Sequence, residues 1–493
     1  MHRRDHQPRS TFSLITELGW IALLTVFLSA LGCSDKQDPT ANRMELSSDA
    51  LLARLSGLPG VTVEEVAGDE GTRAFRLSIV QPVDHSHPDR GSFSQRALLL
   101  HRDVAKPMVL GSTGYGLFSM VPSDTEVSYL LQSNSLIVEH RFFGPSVPAP
   151  LDYSDLTIRQ AAEDHHRVVT LLKEVYRAKW LSTGVSKGGM TSLFHRRFFP
   201  HDVDGTIAYV APESYGTNDP RYPAFLEVVG SAACRTRLID FQRAVLSRRA
   251  EVLPLYQAQA DTYGLTYQRV GGLDVALEHS VQELRFALWQ YLGEDFCLAL
   301  PPADAPAGAL VATLDQASGP ADVASDQVLS FFDAYSYQAS AQLGSYGPLE
   351  KHLKPLLRYP GTYRVQRYSP APVDHFDVRA MPLVQTWLAL FGERVMLIYG
   401  GHDPWSAGAF ELGQARDSYR YVIPGANHVT ADLFDLPEPQ ASEALAALGR
   451  WAETPASTPR ASVASGSQAG LSRLQAQWAL ERQPRKLWSA TRR

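Results

Sequence analysis

The stretch Gly184-Val185-Ser186-Lys187-Gly188-Gly189 sets a serine among small residues. A serine hydroxyl is a poor nucleophile unless the backbone exposes it and a neighbouring base takes its proton. Glycines beside the serine let a strand and the following helix approach each other closely. Residues 181–185 have the apolar character of a strand, and residues 188–199 that of a helix that ends before Pro200. The pattern therefore predicts a strand-to-helix turn that presents Ser186 as a nucleophile.

An acid and a base follow this serine, each on a loop after an apolar, strand-like run. Asp403 comes after residues 394–399, and His428 comes after residues 419–423. The chain order Ser, Asp, His is that of the α/β hydrolases and differs from the orders found in chymotrypsin and subtilisin. We therefore predict that Ser186 attacks a carbonyl, that His428 is the base, and that Asp403 orients the histidine.

The tetrahedral intermediate of such a reaction needs N–H donors for its oxyanion. One donor is expected to be the backbone N–H of Lys187, the residue after the nucleophile. The other is expected from the glycine-rich loop 111–116, with Tyr115 or Gly116 as the donor. The competing interpretation of this loop is a phosphate site, but it has neither the G-x-x-x-x-G-K-[ST] nor the G-x-G-x-x-G spacing.

The composition is that of an ordinary globular protein. The chain has 493 residues, of which 44% are hydrophobic, and a formal net charge of -6. This is enough material for one large core or two domains. Because there is no basic excess, no nucleic-acid partner is expected.

Residues 1–33 have the pattern of a secretory signal peptide, with a basic start and an apolar stretch too short for a confident membrane span. Two interpretations of its end are open. Either Cys33 is lipidated, although Ala30 and Leu31 depart from the usual lipoprotein pattern, or the peptide is simply cleaved. In both cases we expect an exported protein, secreted or in the cell envelope, which touches a membrane only through a lipid on Cys33.

Cys234 and Cys297 are the other two of the three cysteines. In an oxidising compartment this even pair predicts a disulfide, worth about 4 kcal/mol in the chain-entropy model. The alternative is two buried free thiols.

The periodicity of the chain predicts an α/β-hydrolase sheet with an inserted, mainly helical cap. Strands are predicted at residues 75–80, 96–101, 107–110, 135–139, 181–185, 206–211, 394–399 and 419–423, and helices at 157–176, 225–253, 275–292 and 443–451. The predicted segments are a tether (34–50), the first part of the core (51–214), the cap (215–380), the second part of the core (381–452), and a flexible linker with a basic tail (453–493) to which no function is assigned.

Several motifs resemble the secreted bacterial tripeptidyl and prolyl aminopeptidases, which are serine peptidases related to lysosomal prolyl carboxypeptidase and dipeptidyl peptidase II. They are Gln81-Pro82-Val83-Asp84-His85, Glu139-His140-Arg141-Phe142-Phe143-Gly144, Asp164-His165-His166, the serine motif, Asp403-Pro404-Trp405-Ser406 and Asn427-His428. The resemblance covers residues 75–451. It implies an α/β-hydrolase core with a helical cap, the same three catalytic residues, and cleavage near a free amino terminus, often with a preference for proline.

An aminopeptidase must hold the substrate ammonium, for which a partly desolvated carboxylate is suited. Glu213 follows the strand-like run 206–211, at the edge where ligands of open α/β sheets bind. We therefore expect it to hold the ammonium; the alternative is that it caps a cap helix. Trp405, Tyr115 and Tyr215 are expected to line a pocket for a proline ring, or else to pack internally.

No cofactor or metal is expected. Asp164, His165 and His166 share a predicted helix, but the chain has no H-E-x-x-H motif and no cysteine cluster. A packed or solvent-facing helix surface is therefore the favoured interpretation. Glu139 and Arg141 are expected to form a buried ion pair that supports the site.

The hypothesis from sequence is a serine exopeptidase that releases tripeptides or proline-containing units from the free amino terminus of oligopeptides, through an acyl-enzyme. Peptides are thus the expected partners. The first alternative is an esterase or lipase of the same fold, since it shares the acylation chemistry. The second is a non-catalytic binding protein with a decayed site, which the three competent catalytic residues disfavour.

Overall fold

The structure is a computed structural model that describes residues 48–69 and 71–456. The predicted signal peptide, Cys33, most of the predicted tether and most of the basic tail lie outside these residues. Within them, no helix has the length and apolar character that a membrane span requires.

Nine strands of the described chain form one sheet in the order β1-β2-β3-β5-β4-β6-β7-β8-β9. They are β1 (Val61–Val66), β2 (Arg73–Pro82), β3 (Ser92–His101), β4 (Met108–Ser112), β5 (Asn134–Val138), β6 (Trp180–Val185), β7 (Gly205–Tyr209), β8 (Val395–Gly400) and β9 (Tyr419–Ile423). The pairs from β1 to β3 and from β3 to β5 are antiparallel, and the pairs from β5 onward are parallel.

The central parallel strands are buried along their length. Every residue of β4, β7 and β8 is buried, as expected for a parallel sheet covered by helices on both faces. Parallel strands end at the same edge, so the loops that follow β4, β6, β7, β8 and β9 meet there. That edge carries the predicted catalytic residues.

Helices flank the sheet and build a separate layer above this edge. In chain order they are α1 (Ser48–Ser56), α2 (Glu126–Leu131), α3 (Ile158–Leu172), α4 (Lys187–Phe198), the cap helices α5 (Arg221–Leu226), α6 (Ala232–Ser247), α7 (Arg249–Tyr263), α8 (Leu273–Ala287), α9 (Ala307–Ser318), α10 (Pro320–Val323), α11 (Asp326–Phe331), α12 (Asp333–Gln338) and α13 (Val365–Tyr368), and then α14 (Ala380–Phe391) and α15 (Gln440–Ala452).

The cap has an apolar core of its own. Leu238, Leu284 and Leu314 are buried in it, and the same cluster extends to Tyr115 and Phe143 below. A disulfide between Cys234 on α6 and Cys297, with Cα atoms 5.4 Å apart, joins two cap segments. The cap helices α5 to α13 fall within the predicted cap, residues 215–380.

The observed elements differ from the predicted ones in a few places. Strand β1 is not predicted, because Glu64 and Glu65 interrupt its alternation. The predicted helix 225–253 is mostly α6 and α7, which meet at Arg248. Thr157 caps α3 by accepting the Gln160 N–H, whereas the Gln160 side chain donates to Asp84 at 2.7 Å.

Candidate active site

Ser186 stands at the tight turn between β6 and α4. Its φ of 56° and ψ of -123° lie in a region that residues with side chains rarely adopt. A Cβ on Gly188 would collide with the carbonyl oxygen of Ser112, and a Cβ on Gly184 would collide with the carbonyl oxygen of Gly188. The sequence therefore folds into this strained turn because glycines surround the serine.

His428 and Asp403 form a buried pair at the neighbouring strand ends. The Nδ1 atom of His428 lies 2.7 Å from Oδ2 of Asp403, and the backbone N–H of Trp405 donates to Oδ1 at 3.1 Å. Because an ionised carboxylate only accepts, Nδ1 carries the proton, and Nε2 is the basic nitrogen. The backbone N–H of His428 donates to the carbonyl oxygen of Gln290, in the cap, at 3.1 Å.

Ser186 and His428 line the same cavity, which lies between the sheet edge and the cap and has a volume of about 190 Å³. Asp403 lies behind the histidine. Among the described residues there is no hydrogen bond between the Ser186 hydroxyl and Nε2 of His428; such bonds are often long until substrate binds. The arrangement places the predicted nucleophile and base at one cavity, with the predicted orienting acid bonded to the base.

The predicted oxyanion donors lie beside this cavity. The backbone N–H of Lys187 is at the first turn of α4, where it has no partner within the helix. The Tyr115 N–H lies 3.3 Å from the hydroxyl oxygen of Thr113. Gly116 packs against Glu139, whose carboxylate also accepts the N–H of the next residue, Leu117, at 2.9 Å. The structure thus brings the loop 111–116 next to the serine turn.

The side chain of Lys187 connects that loop to the turn, a contact that sequence reasoning misses. Only 2% of Lys187 is exposed, and its Nζ donates to the carbonyl oxygen of Gly114 at 2.7 Å. The same nitrogen lies 5.7 Å from the ring centre of Tyr115 and 5.3 Å from that of Phe143. Burial lowers the pKa of Lys187 well below its usual range. A lysine directly after the nucleophile is the only sequence signal.

The predicted ion pair between Glu139 and Arg141 does not form. Glu139 pairs with Arg96 on β3, at 2.5 Å, whereas Arg141 pairs with Asp164 on α3, at 2.7 Å. Both residues follow β5, but the side chain of Glu139 reaches towards β3, whereas that of Arg141 reaches towards α3. Each of them still supports a loop or helix next to the site.

The two predicted helix histidines have separate partners. His165 lies 3.1 Å from the Ser112 hydroxyl, and His166 lies 2.7 Å from Asp202. In the part of the chain that the structure describes, no group of three or more acidic, histidine or cysteine side chains could hold a metal ion.

Glu213 is buried behind the cavity wall. Its neighbours Pro212 and Ser214 line the cavity, but in the described structure Glu213 does not. Its carboxylate accepts a hydrogen bond from the Tyr215 hydroxyl and lies 3.5 Å from Arg221. Burial raises the pKa of Glu213 to about 7, against the opposing effects of these two partners.

Aromatic side chains line the cavity, together with two carboxylates from the cap, Glu283 and Asp322. The predicted pocket residues Trp405 and Tyr115 both line it. The cap adds Tyr346, Tyr363 and Glu283, none of which the sequence patterns single out. These residues come from α8 and from irregular segments, so no motif marks them.

Comparison with known proteins identifies the family of the chain. The family model described as PS-10 peptidase S37 matches residues 46–486. The chain belongs to this family. A prolyl tri/tetrapeptidyl aminopeptidase from Streptomyces mobaraensis is 38% identical to this S37 peptidase over 433 residues, which is 87% of this chain and 90% of that protein.

Solved structures are more distant from this S37 peptidase. The proline iminopeptidase of Mycobacterium smegmatis is 13% identical, with a TM-score of 0.35, and the likeness covers 80% of this chain and 99% of that one. VinJ is 12% identical, with a TM-score of 0.36, over 79% of this chain and 99% of its own.

Proposed function

We propose that this chain is a serine exopeptidase that releases short peptides, tripeptides or proline-containing units, from the free amino terminus of oligopeptides. The observation that carries the proposal is the cavity lined by Ser186 and His428, with Asp403 hydrogen-bonded to the histidine. Membership of the S37 family and the 38% identity to a prolyl tri/tetrapeptidyl aminopeptidase support the same substrate class.

The reaction begins when the Ser186 hydroxyl oxygen attacks the scissile carbonyl carbon. Nε2 of His428 takes the hydroxyl proton, and Asp403 stabilises the resulting imidazolium. The oxyanion is held by the backbone N–H of Lys187 and by a second N–H from Tyr115 or Gly116. His428 then gives its proton to the leaving amine as the scissile C–N bond breaks, and the amino-terminal fragment stays on Ser186 as an ester. Water, activated by His428, hydrolyses this ester.

The aromatic wall of the cavity supports a preference for proline. Trp405 lines the cavity and packs edge-on to Phe286, with ring centres 5.0 Å apart. Tyr115 packs edge-on to Phe332 at 5.9 Å. Rings fixed in this way present flat apolar surfaces, on which a pyrrolidine ring is buried without loss of a hydrogen bond.

Export of the protein belongs to the same proposal. The signal-like residues 1–33 predict it, and the bond between Cys234 and Cys297 fits an oxidising compartment. We propose that a lipid on Cys33 anchors the protein to a membrane. The alternative is that the signal peptide is cleaved and the protein carries no lipid.

The test is to incubate the enzyme with an Ala-Ala-Pro-initiated oligopeptide, the same peptide acetylated at its amino terminus, and an acyl ester, and to identify the products by mass spectrometry. We expect a short amino-terminal fragment from the free peptide, little or none from the acetylated one, and no product with Ser186→Ala. Equal cleavage of the free and acetylated peptides would contradict exopeptidase action. Turnover of the ester alone would favour the esterase.

A further inference from the structure

We propose that Glu283 binds the α-ammonium group of the substrate, an inference that rests on the aminopeptidase function proposed above. Glu283 lies on α8, in the cap, and lines the same cavity as Ser186 and His428. Only 1% of the residue is exposed. A carboxylate in this position is shielded from bulk water and faces the space that the substrate occupies.

Two tyrosine hydroxyls hold the carboxylate in place. Oε2 of Glu283 accepts a hydrogen bond from Tyr346 at 2.6 Å and another from Tyr363. The two hydroxyls are themselves 3.0 Å apart. A carboxylate has about four acceptor positions, so one that accepts from tyrosine hydroxyls is also suited to accept from an ammonium. A charge-assisted hydrogen bond to an ammonium is stronger than these neutral ones.

Aromatic rings surround the same point. Tyr346 stacks on Phe286, with ring centres 4.1 Å apart, and lies 5.5 Å from the ring of Trp405. The faces of tyrosine and tryptophan rings attract cations. The group thus combines a negative charge with electron-rich rings, which is the chemistry that selects a primary or secondary ammonium, including that of an amino-terminal proline.

Two other acidic side chains near the cavity, Glu126 and Glu213, have structural partners. Glu126, which also lines the cavity, accepts the backbone N–H groups of Leu433 and Phe434 at 2.9 and 3.2 Å. Glu213 accepts from Tyr215 behind the wall. Neither is enclosed by a ring cluster of the kind that surrounds Glu283.

The position of Glu283 also explains why the cleaved fragment is short. Glu283 belongs to the cap and Ser186 to the sheet edge, and both line one cavity. When the ammonium is fixed at one wall and the scissile carbonyl at the other, the number of residues between them is set by the cavity. A longer segment cannot place its carbonyl at Ser186 while its ammonium remains at Glu283.

The test compares Glu283→Gln with wild type on a matched pair of substrates, Ala-Ala-Pro amide and its desamino analogue propionyl-Ala-Pro amide. In wild type we expect kcat/KM to favour the free amine. In Glu283→Gln we expect kcat/KM for the amine to fall by about 10- to 100-fold, mainly through KM, with the desamino substrate unchanged. The matched control is Glu227→Gln, a cap residue that pairs with Lys351, at 2.9 Å, and is expected to leave both values unchanged.

The outcomes separate the two proposals. If wild type does not favour the amine, the aminopeptidase function itself fails. If wild type favours it and Glu283→Gln keeps the same preference, or loses activity equally on both substrates, the assignment of Glu283 is overturned. Should Glu283→Gln fail to fold, the double variant Tyr346→Phe/Tyr363→Phe replaces it and must lower the preference for the amine, or the assignment is wrong.

Discussion

The two walls of the cavity are built in different ways. The sheet-edge wall is defined by backbone contacts, since Gly114, Gly184 and Gly188 lie where no Cβ fits. The cap wall is defined by side chains, chiefly hydroxyls and rings gathered around Glu283. We therefore expect the oxyanion site to depend on main-chain geometry, whereas the choice of substrate is expected to depend on cap side chains that are exchangeable without altering the sheet.

The cap wall and the sheet-edge wall are joined at His428. A π-helical turn, Leu288–Leu292, follows α8 and supplies the Gln290 carbonyl oxygen that accepts the His428 N–H. Trp289 in this turn lies edge-on to His402, with ring centres 5.3 Å apart. Irregular helical turns of this kind are frequent at functional sites. The cap therefore contacts the predicted catalytic histidine as well as covering the cavity.

The largest effect is expected from Asp403→Asn, a substitution at the sheet edge. An asparagine stabilises the wrong tautomer of His428, so we expect kcat to fall by about 10⁴-fold while KM changes little. Steady-state kinetics on a tripeptide amide give both values. A loss of less than tenfold would remove Asp403 from the mechanism.

A smaller but still large loss is expected from Gly114→Ala. Gly114 has φ +71°, and an added Cβ would lie 2.6 Å from the carbonyl carbon of Lys187. The loop must then move away from the serine turn, and we expect kcat to fall by about 100-fold, as for loss of one oxyanion donor. Gly308→Ala is the matched control, because a Cβ there meets nothing within 4 Å. Equal activity of the two variants would contradict the claim that this wall is defined by its backbone.

Lys187→Met is expected to lower kcat by about tenfold. The substitution keeps most of the apolar stem but removes the hydrogen bond from Nζ to Gly114, leaving a buried carbonyl without its donor. KM for the amine should change less than kcat, because the loop positions the oxyanion and not the ammonium. Lys351→Met, at an exposed position in the cap, is the control. A change confined to KM would place Lys187 among the specificity residues instead.

Glu213→Gln is expected to have the smallest effect on turnover. Its effect is measured instead on the free energy of unfolding. The pKa of Glu213 is raised to about 7 by burial, whereas an unfolded chain loses this proton near pH 4.5. Unfolding therefore releases a proton when the pH lies between 4.5 and 7. The free energy of unfolding of the wild type should fall by about 3 kcal/mol as the pH rises across this range. Glu213→Gln should remove this contribution in denaturant titrations at several pH values.

The control for that experiment is Glu227→Gln. Burial raises the pKa of Glu227, but hydrogen bonds from Lys351 and His352 outweigh this effect and lower the pKa to about 2. The stabilising contribution of Glu227 is present above pH 4.5 and is lost as the pH falls towards 2. In Glu227→Gln the slope of the free energy of unfolding against pH should therefore stay as in wild type between pH 4.5 and 7. If Glu213→Gln keeps the wild-type slope as well, its carboxyl is not the buried acid described.

The sheet-edge wall is largely predictable from sequence, and the cap wall is not. Buried strands appear as short apolar runs, and the serine turn has a fixed glycine spacing, so Ser186, Asp403 and His428 are found in order. Glu283 lies in a stretch of α8 that is buried on every side, so helical periodicity does not distinguish the face that meets the cavity. Glu213 has the expected position after β7, but its side chain turns to Tyr215 and Arg221 because these follow closely in the chain.

The central claim is that Ser186 is the nucleophile activated by His428. It is tested most directly by treating the protein with a serine-reactive phosphonate and mapping the adduct by mass spectrometry. We predict one adduct, on Ser186, that is absent from Ser186→Ala and forms far more slowly in His428→Gln. An adduct that forms at the wild-type rate in Ser186→Ala, or that maps to another residue, would contradict the account.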